Sequence, residues 1–126
     1  MLALDSGVLI ALFDANDAHH AAAEALFTIH ASEPMTIGPI NLAEVLVRAA
    51  RENRDREMLA DLRALDVATT SLPDDAATRL ARLRATTRSK MPDCCVLLTA
   101  EQTSARIATF DEGLKESARV LNLQIV

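Results

Sequence analysis

The sequence predicts an α/β fold in which a central parallel sheet of four to five short strands is flanked by helices on both faces. Short apolar runs with strand character alternate along the chain with longer segments in which apolar residues recur at helical spacing. Strands separated by helical crossovers pair in parallel, and the crossover helices then cover both faces of the sheet. Because 50% of the 126 residues are hydrophobic and no repeat or linker divides the chain, we expect one domain over residues 1–126.

Boundary residues place two strands and four helices in the first half of the chain. Asp5 ends the first strand, and Ser6 begins the turn into an apolar helix. Asp17 and Asn53 are suitable N-caps, and Pro39 suits the first turn of a helix. The strands are predicted over 2–5 and 35–37, and the helices over 8–13, 18–30, 40–51 and 53–65.

The second half is predicted to contain three strands and three helices. Pro73 and Pro92 each mark the start of a helix, the first basic and the second apolar. The strands are predicted over 67–70, 106–110 and 120–126, and the helices over 73–86, 92–100 and 112–117.

The composition limits the classes of ligand that the chain can bind. Its formal net charge of −5 is unfavourable for simple electrostatic binding of nucleic acid, so such binding must rest on local charge or on a metal ion. The absence of tryptophan and tyrosine argues against recognition by stacking bases on aromatic side chains. Cys94 and Cys95 are adjacent in an apolar run, and we expect two buried thiols in a reducing compartment rather than a disulfide or zinc site.

The first segment, residues 1–13, is apolar enough to resemble a secretion signal. It lacks a positively charged start, however, and Asp5 interrupts it. No apolar stretch approaches the roughly 20 residues that cross a bilayer. We therefore expect a cytoplasmic protein that is not associated with a membrane.

Acidic residues follow two of the predicted strands. Asp5 ends the first strand and Asp111 ends the fourth. Ligands of open parallel sheets bind beyond the carboxyl ends of the strands, where strand order reverses, so two neighbouring strands would bring these carboxylates together. The alternative is that each acid only caps the helix after it.

Two further acids lie on predicted helices. Glu44 has apolar neighbours throughout residues 42–47, so we expect a largely buried helix in which a carboxylate must be paired or bound to metal. The alternative is an ion pair with Arg48 or with a distant arginine. Asp93 follows Pro92 in the first turn of its helix, where it either caps the helix or is stabilised as an anion that binds a cation.

Taken together, these acids resemble the pattern of the PIN domain, specifically of the VapC-type toxins of bacterial toxin–antitoxin pairs. The resemblance runs over nearly the whole chain, and order and spacing fit. Four segments carry it: LDSGVLI at 4–10 with Asp5, NLAEVL at 41–46 with Glu44, KMPD at 90–93 with Asp93, and IATFD at 107–111 with Asp111.

The resemblance implies an acidic cluster of Asp5, Glu44, Asp93 and Asp111 around Mg²⁺ or Mn²⁺. Asp5 and Asp93 are expected as direct ligands, and the other two acids complete the cluster. Hard divalent cations prefer carboxylate and water oxygens, which agrees with this assignment. Many members of the family carry a further acid shortly after the fourth acid of the cluster, which is Asp111 here. At that place this chain offers only Glu112. Three residues are expected to orient the acids through hydrogen bonds: Ser6, Thr109 and Asn41.

The implied activity is metal-assisted endonucleolytic cleavage of RNA phosphodiesters by a toxin that a cognate VapB-type antitoxin inhibits. The resemblance also suggests a homodimer. Five cations precede Asp93 without an intervening acid and are candidates for holding the RNA backbone, although a solvated helix face explains them as well. These cations are Arg79, Arg82, Arg84, Arg88 and Lys90.

Two alternatives compete with an active ribonuclease. One is a catalytically inactive PIN-like domain that binds RNA or protein, and the retention of four acids argues against it. The other is a phospho-receiver domain, which usually has paired acids after its first strand and a catalytic lysine late in the chain. Asp5 lacks an adjacent acid and Lys115 has no matching context, so this second alternative is disfavoured.

Overall fold

A computed structural model describes residues 1–126 and shows four strands and seven helices. The strands are β1 (Leu2–Leu4), β2 (Met35–Ile37), β3 (Val67–Thr69) and β4 (Arg106–Ala108). The helices are α1 (Ser6–Phe13), α2 (His20–Ile29), α3 (Pro39–Arg51), α4 (Asp55–Ala64), α5 (Ala76–Thr87), α6 (Met91–Thr103) and α7 (Glu112–Val120).

All strand pairs are parallel, and the strand order is β3-β2-β1-β4. The central strand β1 is buried on both faces, because its side chains alternate between two separate cores. Ala3 packs in a core that includes Leu97 of α6 and Leu114 of α7. Leu4 packs in the other core, which includes Leu9 of α1. The prediction of a parallel sheet with helices on both faces is confirmed.

Local turns shift several predicted helix starts. The Asp17 carboxylate accepts a hydrogen bond from the backbone N–H of His19 at 2.8 Å, in a turn that precedes α2, so the helix begins two residues later than predicted. Asn53 adopts the left-handed conformation with φ 56° and therefore lies outside α4, which begins at Asp55. An asparagine suits that conformation because its short polar side chain tolerates positive φ.

The predicted fifth strand over 120–126 is wrong. Helix α7 continues through Val120, and only Ile125 forms an isolated parallel bridge with Ile107. Leu121 and Leu123 instead pack against the core beside α6, so the apolar residues of this segment serve helix packing rather than a sheet. None of the seven helices is long and apolar enough to span a membrane.

Replacement of Leu4, which is 1% exposed, tests the role of β1 in the core. Leu4→Ala leaves a cavity between sheet and helices and is expected to lower the free energy of unfolding by about 2–5 kcal/mol. The matched variant Ile29→Ala, at a side chain that is 74% exposed, is expected to change it by about 0.5 kcal/mol or less. Urea unfolding followed by circular dichroism measures both, and equal losses would contradict the assignment of this core.

Candidate active site

The candidate site lies at the carboxyl edge of the sheet, between β1 and β4. Strand order reverses there, because β2 and β3 lie on one side of β1 and β4 lies on the other. The backbone N–H of Asp5 donates to the carbonyl of Ala108 at 3.0 Å, so β1 and β4 are hydrogen-bonded to each other as far as their carboxyl ends. Asp5 and the segment that contains Asp111 therefore leave the sheet side by side.

The Asp5 carboxylate is held by two hydroxyl groups. Its Oδ2 accepts from Thr109 Oγ1 at 2.7 Å, and its Oδ1 accepts from Ser6 Oγ at 3.5 Å. Burial raises the pKa of Asp5, and the charge of Asp111 raises it further, whereas the hydrogen bond from Thr109 and the backbone N–H groups of Ser6 and Gly7 lower it. Asp5 occupies the N-cap position of α1, and although its side chain makes no well-aligned capping hydrogen bond, the first N–H groups of the helix favour its charged form.

Thr109 links the two strand-end acids. While its hydroxyl donates to Asp5, the same oxygen accepts from the backbone N–H of Asp111 at 3.0 Å. Asp111 in turn caps α7, since its Oδ1 accepts from the backbone N–H of Leu114 at 2.8 Å. A Cβ at position 113 would lie 3.1 Å from that oxygen, so Gly113 permits the close approach. Capping therefore fixes Asp111 through one oxygen and leaves Oδ2 free for a ligand.

Asp93 lies in the first turn of α6 and faces the other acids. Burial raises its pKa first, and the charges of Asp5, Asp111 and Glu44 raise it further, while Lys90 lowers it. The N-cap position of α6 belongs to Lys90, and Asp93 makes no capping hydrogen bond. The four predicted acids thus lie close enough for their charges to interact.

Glu44 differs from the sequence expectation. Helix α3 is amphipathic rather than largely buried, because it buries only Asn41, Val45 and Ala49, and Glu44 is exposed. The alternative of an ion pair with Arg48 is also wrong, since Arg48 contacts other carboxylates. Apolar neighbours in sequence did not predict burial here, because α3 packs only one face against the sheet.

Asn41 connects Glu44 with the first turn of α6. Its Nδ2 donates to Glu44 Oε1 at 3.2 Å and to the backbone carbonyl of Pro92 at 3.0 Å. Asn41 is 1% exposed, and its buried Oδ1 has no hydrogen-bond partner. A buried amide with this geometry fixes the position of α3 relative to the helix that carries Asp93.

Three of the acids share one cavity of about 390 Å³. Glu44 instead borders a neighbouring groove of about 290 Å³ between α1, α3 and α4. Asp17, His19 and Phe110 also line this cavity, and the sequence did not predict them as cavity residues. Their position depends on the loop after α1 folding back over the sheet edge, which no local pattern indicates. The cavity is lined by Asp5, Ser6, Gly7, Ile10, Asp17, His19, Asp93, Phe110 and Asp111.

The donor set fits a hard divalent cation better than zinc. No three histidine, cysteine or acidic side chains converge closely enough to form a complete metal cage. Magnesium does not require such a cage, because it keeps several waters and is usually bound through one or two carboxylates. Cys94 and Cys95 are buried and free, as the sequence predicts, and offer no accessible sulfur ligand. Repulsion among Asp5, Asp93 and Asp111 is relieved when a cation neutralises them.

The five predicted cations separate into two groups. Arg79 pairs with Glu101 of α6 at 3.4 Å, and Arg84 donates to the backbone carbonyl of Ser89, in the connection between α5 and α6, at 2.7 Å, so both have partners within the fold. The other three are exposed and form no ion pair: Arg82, Arg88 and Lys90.

Comparison with known families identifies the fold. The PIN-domain family model matches residues 2–120. The chain belongs to the PIN-domain family. Comparison with curated protein sequences gave no significant match.

Several solved structures share this fold. VapC20 of Mycobacterium tuberculosis, a sarcin–ricin loop cleaving toxin, superposes with a TM-score of 0.75 at 16% identity, covering 93% of this chain and 95% of that one. FitAcB from Neisseria gonorrhoeae gives 0.73 at 18% identity, with coverage of 99% and 96%. A toxin–antitoxin complex from Klebsiella pneumoniae gives 0.72 at 23% identity, with coverage of 88% and 87%. The fold predicted from the resemblance is confirmed.

The raised pKa of Asp93 predicts a pH-dependent penalty in the metal-free protein. Below the ordinary value of 3.8 the carboxyl is protonated in folded and unfolded states alike and has no effect. Between that value and the higher folded-state pKa, the folded state binds more protons, so the free energy of unfolding falls as pH rises. Asp93→Asn removes this loss and is expected to stabilise the metal-free protein at neutral pH.

Thermal unfolding of wild type and Asp93→Asn between pH 3 and 8 in EDTA tests this expectation. The exposed, unpaired Asp74 provides the matched control Asp74→Asn, the same substitution away from the acidic cluster. Added Mg²⁺ is expected to stabilise wild type more than Asp93→Asn, since a ligand stabilises the state that binds it. Equal stabilisation by Mg²⁺ in both proteins would remove Asp93 from the metal site.

Proposed function

We propose that the protein is a metal-dependent endoribonuclease and the toxin of a type II toxin–antitoxin pair. The observation that carries the proposal is the convergence of Asp5, Asp93 and Asp111 in one cavity at the β1–β4 edge, with charge interactions that extend to Glu44. A metal-free binding domain has no need for this concentration of like charge in a half-buried site. Membership of the PIN-domain family is consistent with nuclease activity.

Asp5 and Asp93 would hold Mg²⁺ or Mn²⁺ directly, with Asp111 and Glu44 completing the acidic cluster. When bound, the ion supplies an activated water and a contact to a phosphate oxygen for hydrolysis of the RNA phosphodiester. Thr109 and Ser6 keep the carboxylate of Asp5 oriented, because their hydroxyls bond different oxygens of it. Glu112 pairs with Lys115 at 2.9 Å on the exposed side of α7, so we leave it outside the cluster.

Asn41 has the same orienting role for Glu44. It donates one amide hydrogen to that carboxylate and another to the Pro92 carbonyl, one residue before Asp93. This arrangement couples the position of Glu44 to the first turn of α6. Loss of the amide would therefore affect two acids at once.

Binding of the RNA backbone is assigned to Arg82, Arg88 and Lys90. These side chains are exposed and unpaired, and Lys90 lies near enough to Asp93 to lower its pKa. Together they form an exposed, positively charged segment just before Asp93 in a chain whose net charge is −5. Arg79 and Arg84 were also candidates, but their partners in the fold make them structural residues in this proposal.

The proposed partner is a VapB-type antitoxin. Similar solved structures include toxin–antitoxin complexes from Klebsiella pneumoniae and Rickettsia felis. The groove beside Glu44 combines apolar side chains such as Leu9 and Phe13 with acids such as Asp14 and Asp61. An amphipathic segment with basic residues fits this lining, and one that occupied the groove would lie next to the acidic cluster. We further propose a homodimer in the cytoplasm, as the VapC-type resemblance implies.

Incubation of the purified protein with total bacterial RNA tests the activity. Discrete cleavage is expected with Mg²⁺ or Mn²⁺ and not with EDTA. Asp93→Asn is expected to lower the rate by about 100-fold or more, because the metal ion supplies several kcal/mol of transition-state stabilisation. Asp74→Asn, the same substitution at an exposed and unpaired site, is expected to retain full activity.

Other outcomes of this assay have definite meanings. Cleavage that survives EDTA or Asp93→Asn would come from a contaminating nuclease. A folded protein that binds Mg²⁺ and RNA without cleaving would be the inactive PIN-like binding domain, which is the second candidate function.

Neutralisation of the exposed cations tests their role in RNA binding. The triple variant Arg82→Gln, Arg88→Gln, Lys90→Gln is expected to raise KM and to reduce the salt dependence of binding by about 0.7 in log–log slope for each lost phosphate contact. Arg63→Gln, at an exposed and unpaired arginine of α4, is the charge-matched control for one substitution. An unchanged KM and salt slope in the triple variant would assign these residues to a solvated surface.

A further inference from the structure

One aromatic stack lines the acidic cavity. The rings of His19 and Phe110 have their centroids 4.8 Å apart and their planes inclined by 15°. The chain has three phenylalanines and neither tryptophan nor tyrosine, so one of its few aromatic rings is placed beside the proposed active site. The composition argued against recognition by stacking on aromatic side chains in general, but it does not account for this pair.

Hydrogen bonds between backbone and side-chain groups hold the two segments that carry the stack. Phe110 lies between Thr109 and Asp111, which are joined by the bond from the Asp111 N–H to the Thr109 hydroxyl. The N–H of His19 donates to Asp17 Oδ1 at 2.8 Å, and the ring of the next residue, His20, bonds the carbonyl of Ala11 at 2.8 Å. The stack of His19 on Phe110 is therefore held in place in the absence of substrate.

The exposure of the two rings indicates which one meets a ligand. Phe110 is half-buried, whereas His19 is exposed and its ring nitrogens make no hydrogen bond or ion pair within the protein. Phenylalanine thus supports one face of the imidazole, and the other face is available. Both residues line the same cavity as Asp5, Asp93 and Asp111, so a group resting on His19 lies next to the acidic cluster.

An unpaired nucleobase is the ligand that this arrangement fits. Sequence-dependent and sequence-tolerant binding of single-stranded RNA both use bases that stack on aromatic or histidine rings. Stacking needs no positive charge, which matters beside three carboxylates that repel the RNA backbone. A single supported ring is sufficient to fix one nucleotide.

We propose that His19, supported by Phe110, stacks on an unpaired base of single-stranded RNA and positions the adjacent phosphodiester at the acidic cluster. His19 is thus a positioning residue, and this proposal rests on the proposed ribonuclease function. It predicts that the ring, and not the charge or the hydrogen-bonding nitrogens, is what the substrate requires.

Binding of single-stranded RNA oligonucleotides that carry 2-aminopurine tests the proposal, with Ca²⁺ in place of Mg²⁺ as the oxygen-coordinated cation. Wild type is expected to quench the 2-aminopurine fluorescence. His19→Phe keeps a ring and is expected to retain quenching and affinity, whereas His19→Ala is expected to lose the quenching and to bind about tenfold more weakly, as for one lost base stack. Phe110→Leu removes the supporting ring and is expected to give an intermediate loss.

Steady-state cleavage of the same oligonucleotides in Mg²⁺ provides the second measurement. In His19→Ala, KM is expected to rise while kcat changes less. His30→Phe is the matched control, because His30 pairs with Glu33 just before β2, at the opposite edge of the sheet. Thermal unfolding of every variant separates loss of binding from loss of fold. We compare His19→Phe with His19→Ala only at temperatures where both variants are folded.

The outcomes distinguish this proposal from the proposed function. Cleavage and quenching that are unchanged in His19→Ala would overturn the stacking role and leave the ribonuclease intact. Equal losses in His19→Phe and His19→Ala would also overturn it, by assigning the role to the imidazole nitrogens. Ring-dependent quenching without cleavage in wild type would support the stack and reject the enzyme. A wild-type protein that neither binds nor cleaves RNA would reject both.

Discussion

The pairing of β1 with β4 is the constraint on which the proposed site depends. It brings together two strand ends that are 104 positions apart at the hydrogen bond between Thr109 and Asp5. The hydroxyl of Thr109 orients Asp5 and also accepts from the N–H of Asp111, so one small side chain sets the spacing of two acids. A one-residue shift in this register would exchange the faces of β4 and separate the acids.

The acidic cluster opposes the stability of the fold that holds it. Burial and mutual repulsion raise the pKa of Asp5 and Asp93, which means that their ionised forms are disfavoured in the metal-free protein. Two cores, one on each face of β1, offset this cost, and Leu4 and Leu97 are almost fully buried in them. The site is thus a local exception at the end of β1, whose own side chains are apolar and buried.

Positive charge and aromatic surface lie on different segments of the chain. The segment before Asp93 carries unpaired cations, while the stack of His19 on Phe110 lines the acidic cavity. A buried hydrogen bond of 2.7 Å between the hydroxyls of Ser89 and Ser117 ties the first of these segments to α7. In the proposed function, contacts to the RNA backbone and to a base would therefore come from separate segments, in a chain whose overall charge is negative.

By itself, the sequence determined the alternation of strands and helices and the parallel sheet with helices on both faces, because periodicity and proline entries are local signals. It also indicated Asp5 and Asp111 as acids at strand ends, whereas the set of four acids was a prediction from the resemblance to the PIN domain. Tertiary structure decided the rest. The segment after α7 does not form a fifth strand, because its leucines pack against the core that contains residues of α6. Glu44 is exposed because α3 buries only one of its faces. His19, Asp17 and Phe110 met at the cavity because the loop after α1 folds over the sheet edge, and contacts between residues distant in sequence leave no periodic trace in the chain.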